Sequence, residues 1–124
     1  ILRKAYSSLK NGIKLIFTTL NGLYPLFHSV KDFVNSSTEQ GKTSEDNFDI
    51  MTFRQYSVYE TEDDKGNKII LNCNERYYVP SEITWLVKSA GFRESEIFGC
   101  KLGAFSRNDK LTTEDFEMLV IAEK

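Results

Sequence analysis

Apolar side chains recur at helical spacing at the start of the chain and then merge into a continuous apolar run. One helical face is formed by four positions at i, i+3, i+4 and i+7, namely Leu2, Ala5, Tyr6 and Leu9. Gly12 suits the left-handed residue that ends such a helix. The segment Lys14–Leu20 is β-branched, aromatic and aliphatic, which predicts a strand buried on both faces, as in a parallel sheet.

A second helix and a long polar segment follow this strand. Pro25 suits the first turn of a helix, and the apolar spacing continues through Leu26, Val30 and Phe33. Residues 35–47 are almost all small or polar, so they cannot bury enough apolar surface to offset the cost of ordering them. The pattern predicts a mobile loop there.

The middle of the chain has the pattern of a β-hairpin. Two β-rich stretches, 50–61 and 68–78, flank an acidic segment at 62–67 that contains Gly66 and Asn67. Such a segment between alternating runs is typical of a tight turn. We expect an inserted hairpin over residues 50–78, with one face covered.

The last third predicts a helix and then two strands. Pro80 opens the helix and Gly91 closes it, around the apolar positions Ile83, Leu86, Val87 and Ala90. A short strand at 95–98, a loop at 99–114 and a final strand at 116–122 follow. The final strand is apolar on both of its faces, which indicates a central position in the sheet.

Composition limits the class of protein. The 124 residues include 16 Lys and Arg against 18 Asp and Glu, a net charge of −2, with 40% hydrophobic residues. This balance is typical of one globular domain, and it argues against a dedicated nucleic-acid binder, which would carry a basic stripe. No apolar run approaches the roughly 20 residues that span a bilayer. Two cysteines and one histidine are too few for a zinc site and favour reduced thiols in a cytoplasmic protein.

Three segments resemble class I S-adenosylmethionine-dependent methyltransferases. Residues 5–19 (AYSSLKNGIKLIFTT) are similar to the family's helix that leads into its fifth strand. Residues 77–92 (YYVPSEITWLVKSAGF) are similar to the helix before its sixth strand, and residues 117–124 (EMLVIAEK) to its terminal seventh strand. The resemblance implies an α/β, partial Rossmann-like fold with a three-stranded mixed sheet in the order 5-7-6, flanking helices and an inserted hairpin.

The resemblance also implies what this chain lacks. Members of the family bind the cofactor at a glycine-rich turn, whereas the seven glycines here form no GxGxG motif. We therefore expect residues 1–124 to be a single domain that is the C-terminal, substrate-side portion of a methyltransferase. The parent would use S-adenosylmethionine to methylate a small molecule, while this chain alone would bind no cofactor and be inactive.

Seven side chains are candidates for substrate binding, and each has a plainer alternative. Asn21 either orients a polar substrate atom or serves the turn before Gly22, and Tyr24 either lines a pocket or packs. His28 is either a neutral-pH base or the partner of Asp32 four residues on. No catalytic residue is identified.

The other candidates lie later in the chain. Arg76 and Tyr77 precede a helix and either close over substrate or belong to the hairpin surface. Phe105 and Arg107 form either a substrate-side loop or a solvated connection. No metal ligands are expected among these residues.

The strand at Lys14–Leu20 also bears on partners. In the resembled family its neighbour would be the fourth strand, which this chain does not carry. An apolar edge invites pairing with another chain, so we expect a homo-oligomer, a domain swap or association with the cofactor-binding half. No nucleic acid or membrane partner is expected.

A second interpretation comes from a different class of protein. The chain is alternatively a stand-alone α+β module that binds a ligand or oligomerises without catalysis. A central antiparallel last strand favours the methyltransferase interpretation, and a continuous antiparallel sheet curled around a cavity favours the module.

Overall fold

The computed structural model describes residues 1–28, 47–101 and 104–124. These ranges contain three helices and seven strands, in chain order α1 (Leu2–Ser8), β1 (Lys14–Leu20), α2 (Leu23–Phe27), β2 (Asn47–Asp49), β3 (Arg54–Glu62), β4 (Lys68–Arg76), α3 (Pro80–Ser89), β5 (Glu94–Lys101), β6 (Ala104–Phe105) and β7 (Glu117–Glu123). They divide into two compact units. Unit 1 comprises Ile1–Tyr24 and Tyr78–Lys124, and unit 2 comprises Pro25–Tyr77.

Unit 1 is built on a four-stranded sheet in the order β1-β7-β5-β6. β7 lies between β1 and β5 and runs antiparallel to both, with Phe17 opposite Val120 on one side and Ile97 opposite Val120 on the other. The apolar run of β7 explains this place, because a strand with neighbours on both sides and a core beneath it is shielded from water.

The core of unit 1 lies on one face of this sheet. Alternate residues of β7, Met118, Val120 and Ala122, are fully buried and pack with Ile83 and Val87 of α3. Fully burying a valine, isoleucine or methionine side chain stabilises the fold by roughly 1.5–3 kcal/mol. Packing of this stripe therefore outweighs the missing side-chain cap at the start of α3.

Hydrogen bonds from Lys124 stabilise the C-terminal end of helix α1. The Lys124 ammonium donates to the carbonyl oxygens of Tyr6 at 2.7 Å and Leu9 at 2.8 Å, and it lies 4.3 Å from the Tyr6 ring centroid. A cation at a helix C-terminus satisfies orphan carbonyl groups and complements the helix dipole. The Tyr6 ring packs edge-on against Phe92, 5.2 Å between centroids.

Unit 2 contains a three-stranded antiparallel sheet in the order β2-β3-β4. β3 and β4 form the expected hairpin, with Glu62 paired to Lys68 across the turn and Arg54 paired to Arg76 at the far end. In the turn, the Asp63 carboxylate accepts hydrogen bonds from Lys65 N and Asn67 N, both at 2.8 Å. The Asn67 side-chain amide also donates to this carboxylate, at 2.9 Å. These hydrogen bonds, with that of the Asn67 side chain first, favour the charged form and lower the pKa of Asp63.

The predicted three-stranded mixed sheet needs correction. The observed order β1-β7-β5-β6 has a fourth strand, and every ladder in it is antiparallel. β5 is also longer than the predicted 95–98 segment, and β6 lies within the predicted 99–114 loop. Gly99 and Gly103, on either side of Lys101, concealed both features, because glycines that follow an apolar run usually mark a loop.

The prediction that Lys14–Leu20 is buried on both faces is wrong. Ile16 is 62% exposed, although Phe17 on the other face contributes to the core. Among the described residues β1 pairs along its length only with β7, so it lies at the edge of the sheet. The apolar sequence therefore overstated the burial of the face that carries Ile16.

Some expectations fall partly or wholly outside the described residues. These include the second helix beyond His28, with Val30 and Phe33, and the mobile loop up to residue 46. Residues 50–53, expected to be extended, form a turn after β2. In the ranges that the structure covers, no helix has the length and apolar character required to cross a bilayer.

Candidate functional site

Asn21 directly follows β1 and holds the segment before β7 in place. Its side-chain amide donates to the carbonyl oxygens of Asp115 at 2.7 Å and Thr112 at 3.3 Å, and its Oδ1 accepts from Leu23 N at 3.0 Å. The residue is fully buried, and an amide can donate and accept at once, which suits it to this position. Asn21 thus links the carboxyl end of β1 to the turn that leads into β7.

The turn at 112–115 is itself closed by a carboxylate. Asp115 Oδ2 accepts from Thr112 N at 2.7 Å and from Thr112 Oγ1 at 2.8 Å. A Cβ atom at Gly99 would lie 2.8 Å from the same Oδ2, so a larger residue there would have to displace the Asp115 carboxylate. Gly99 N also donates to Asp109 O at 2.8 Å.

A polar hollow of about 540 Å³ lies beside this turn, lined by Cys100, Lys101, Asp109, Glu114, Asp115 and neighbouring residues. The buried Cys100 thiol donates to Glu117 Oε2 at 3.6 Å. Burial, together with the charges of Glu117 and Asp115, raises the pKa of the Cys100 thiol. The thiol is therefore protonated at neutral pH and is a poor nucleophile.

Phe105 and Arg107 lie together in an apolar groove of about 460 Å³. β1 and β7 supply its other walls, with Ile16, Phe17, Thr18, Leu119 and Ile121. The Arg107 guanidinium pairs with Glu96 and lies 6.0 Å from the centroid of Phe98. Phe105 is 62% exposed. The groove thus offers an apolar floor, an exposed ring and a cation at its rim.

The remaining candidates lie elsewhere. The Tyr24 ring packs edge-on against Phe116, 5.4 Å between centroids, so Tyr24 and Asn21 both contact the segment before β7. His28 follows α2 and is half-buried. Arg76 ends β4, and Tyr77 is fully buried in unit 2, where its hydroxyl donates to Gln55 Oε1 at 2.9 Å. No described group of His, Cys, Asp and Glu is arranged to hold a metal ion.

The outer edge of β1 carries a further feature that the sequence did not reveal. Tyr78 N donates to Leu20 O at 3.0 Å and Gly22 N donates to Tyr78 O at 2.8 Å, a parallel bridge on the side away from β7. Because hydrogen-bonding directions alternate along a strand, Lys14, Ile16 and Thr18 turn their N–H and C=O groups to that same side. Within the described chain no strand pairs with them.

Two apolar hollows flank this edge, one on each face of the sheet. A hollow of about 370 Å³ on the α1 and α3 side is lined by Leu15 and Thr19 of β1. The groove on the opposite face is lined by Ile16, and Phe17 and Thr18 contribute to both. A strand added beside β1 would find apolar space for alternate side chains on either face.

Sequence reasoning missed Asp115, Gln55 and Ser57. Asp115 lies in a segment with no periodicity, so its role depends on contacts distant along the chain. Gln55 and Ser57 alternate with Tyr56 on β3, and polar residues at that spacing usually mark the solvent face of a strand. Here they mark the buried face, at 2% exposure each.

No protein-family model matches this chain, and no curated protein matches it. Solved structures are similar to it, among them two methyltransferases. The CcbJ methyltransferase from Streptomyces caelestis superimposes with a TM-score of 0.61 at 12% identity, over 98% of this chain and 50% of that chain. An S-adenosylmethionine-dependent methyltransferase from Clostridium acetobutylicum ATCC 824 does so with a TM-score of 0.56 at 14% identity, over 98% and 48%. The chain therefore has a methyltransferase-like fold and spans about half the length of these two proteins.

Proposed function

We propose that this chain is the substrate-side half of an S-adenosylmethionine-dependent methyltransferase that methylates a small molecule. The fold likeness carries the proposal, since it extends over 98% of this chain but only 50% and 48% of the two methyltransferases. The central position of β7 between β1 and β5 is further support, because the resembled family inserts its last strand antiparallel into its sheet.

The proposal assigns no cofactor site to the described residues by themselves. A cofactor of this class needs backbone amides that it can approach closely at the carboxyl ends of strands. At the end of β1, Gly22 N already donates to Tyr78 O and Leu23 N to Asn21 Oδ1. In this proposal the cofactor is held by the rest of the parent enzyme, and this chain alone is inactive.

The groove of Phe105 and Arg107 is the proposed substrate site. Its apolar floor and exposed ring suit an apolar or aromatic part of the substrate, and the Arg107 guanidinium at the rim can donate to a polar substituent. Methyl transfer depends mainly on holding the acceptor atom in line with the methyl group. Asn21 contributes indirectly, by fixing the turn before β7.

The open edge of β1 is the proposed seam with the missing half. Lys14, Ile16 and Thr18 direct donors and acceptors outward, and the bridge to Tyr78 already runs parallel there. A parallel strand of the cofactor-binding half would continue that bridge along β1. In isolation the same edge would join two copies of this chain, which accounts for the expected homo-oligomer.

Intact-mass analysis of the polypeptide in its source cells tests the proposal. An antibody raised against the 124-residue chain captures the native polypeptide, and S-adenosylhomocysteine is then titrated into it by calorimetry. We expect a mass well above 14.3 kDa, with binding to the long polypeptide and none to the isolated chain. A native mass of 14.3 kDa without binding would overturn the proposal and favour the stand-alone module.

The seam is tested with proline at an outward-facing amide. Ile16→Pro removes a donor that β7 does not use, so unit 1 should fold while strand addition is blocked. Ile16→Ala is the matched control, because it shortens the side chain and retains the N–H. Sedimentation of the isolated chain should show oligomers for Ile16→Ala and monomers for Ile16→Pro. The seam is wrong if both variants sediment alike.

A further inference from the structure

Two buried polar side chains in unit 2 have hydrogen-bonding atoms without a partner in the part of the chain that the structure describes. They are Gln55 Nε2 and Ser57 Oγ, on residues that are each 2% exposed. Residues two apart on a strand point to the same face, so both side chains project from one side of β3. Phe48 is directly opposite Gln55 in the β2–β3 ladder.

The orientation of the Gln55 amide is set by a neighbour. The Tyr77 hydroxyl donates to Gln55 Oε1 at 2.9 Å, which leaves the Nε2 hydrogens as the donors to be satisfied. Folded proteins satisfy nearly all buried polar atoms, since an unmade hydrogen bond in the interior costs more than a made one gains. Since both atoms lie on one face of β3, we expect a single bound group to make hydrogen bonds to both.

Aromatic rings lie beside Gln55. Phe48 packs edge-on against Tyr77, 5.3 Å between centroids, and against Phe53 at 6.1 Å. Phe53 also has a φ of 52°, a left-handed conformation that a bulky side chain rarely adopts. Backbone strain of this kind concentrates at ligand-binding positions, where the surrounding structure holds it in place.

We propose that Gln55 and Ser57 form a recognition site for a small, uncharged amide or carbonyl compound. Gln55 Nε2 donates to the carbonyl oxygen of the ligand, and Ser57 Oγ accepts from its N–H or donates to the same oxygen. Phe48, Phe53 and Tyr77 provide flat apolar contacts. These five residues carry no charge at neutral pH, and a carboxylate buried among them would have no counter-ion, so a neutral ligand is selected. The site does not depend on the proposed methyl transfer.

Side-chain amide resonances of Gln55 report directly on occupancy. Acetamide is titrated into the ¹⁵N-labelled chain at millimolar concentrations, with acetate as the charged analogue of the same shape. We expect saturable shifts of the Gln55 NH₂ signals with acetamide and none with acetate. Ser57→Ala should weaken acetamide binding by about tenfold, the loss of one hydrogen bond to a buried group.

Ser95→Ala is the matched control. It also removes a buried hydroxyl without a described partner, but from unit 1. Acetamide affinity should be unchanged in this variant, and Ser57→Ala should raise the thermal midpoint because it removes an unsatisfied group. Unshifted Gln55 signals, equal response to acetate, or equal weakening by Ser95→Ala would overturn the proposal and assign the two polar groups to internal water.

Discussion

At the scale of single residues, the fold depends on polar groups whose partners are far away along the chain. Asn21 bonds to Thr112 and Asp115, more than 90 residues later. Cys100 lies beside Glu117, and Gly99 makes room for the Asp115 carboxylate. These contacts place the ends of β1 and β5 next to the turn that precedes β7.

The thiol of Cys100 gives a prediction about pH. Burial first, and then the Glu117 carboxylate, raise the pKa of Cys100, so the folded state favours the protonated thiol. This stabilisation is complete below about pH 9, the ordinary value for the group, and is lost as the pH rises above it. Glu117→Gln should lower the pKa of Cys100 without restoring the ordinary value, since burial is unchanged.

Thiolate ultraviolet absorbance during a pH titration measures this shift. A Cys73→Ser background leaves one titrating thiol. Glu94→Gln removes an equal charge from the opposite end of β5 and should leave the titration of Cys100 where it was. Equal titration curves for Glu117→Gln and the background protein would show that the carboxylate does not act on the thiol.

At the scale of elements, the helices were predicted from the sequence more faithfully than the strands. Helical spacing at Leu2, Ala5, Tyr6 and Leu9 gave α1, and Pro80 and Gly91 bounded α3, because helical signals are local. The neighbours of a strand in a sheet, in contrast, come from segments that are distant along the chain. The resemblance implied that β1 is an edge, but the sequence could not show that β6 extends the sheet or that Gln55 faces inward, since each depends on what lies beside it.

Gly91 illustrates how one element constrains another. It adopts a φ of +111°, and a Cβ there would lie 2.8 Å from the Tyr6 ring of α1. Gly12 in the same unit has a φ of +78° with open space around it. Gly12→Ala should cost roughly 1 kcal/mol through backbone strain. Gly91→Ala should cost an additional 1–3 kcal/mol, roughly, because the Tyr6 ring must shift.

Chemical denaturation of both variants measures the difference. Tyr6→Ala removes the ring and serves as the background in which the two glycine substitutions should cost similar amounts. If Gly91→Ala costs no more than Gly12→Ala in the unaltered chain, the packing of α1 on this glycine is not a constraint.

At the scale of the whole molecule, methyltransferase-like architecture was expected from three short motifs, and the structural neighbours agree at the level of fold. The motif at residues 5–19 was informative because it combines part of α1 with the strand that follows it. The candidate site was less predictable. Phe105 and Arg107 share a groove, whereas Tyr77 is a core residue of unit 2, and the sequence carried no sign of which would apply.

The amide exchange rates measured by native-state hydrogen exchange should differ between the strands. β7 is bonded on both sides and buried along five consecutive residues, so its amides should exchange slowest. β4 is an edge strand with mostly exposed side chains and should exchange faster. Equal protection of β4 and β7 would contradict the edge position of β4 in the described sheet of unit 2 or the central position of β7 in unit 1.

The central place of β7 has a consequence for how the protein is made. Among the described strands it is the last to be synthesised, yet β1 and β5 contact each other only through it. On the ribosome, unit 2 is complete in sequence well before unit 1 can close. Until then, the apolar faces of α1, β1 and α3 have no sheet to cover, which is the condition under which nascent chains aggregate or need chaperones. A translation error that removes the final segment would therefore leave unit 1 without its centre.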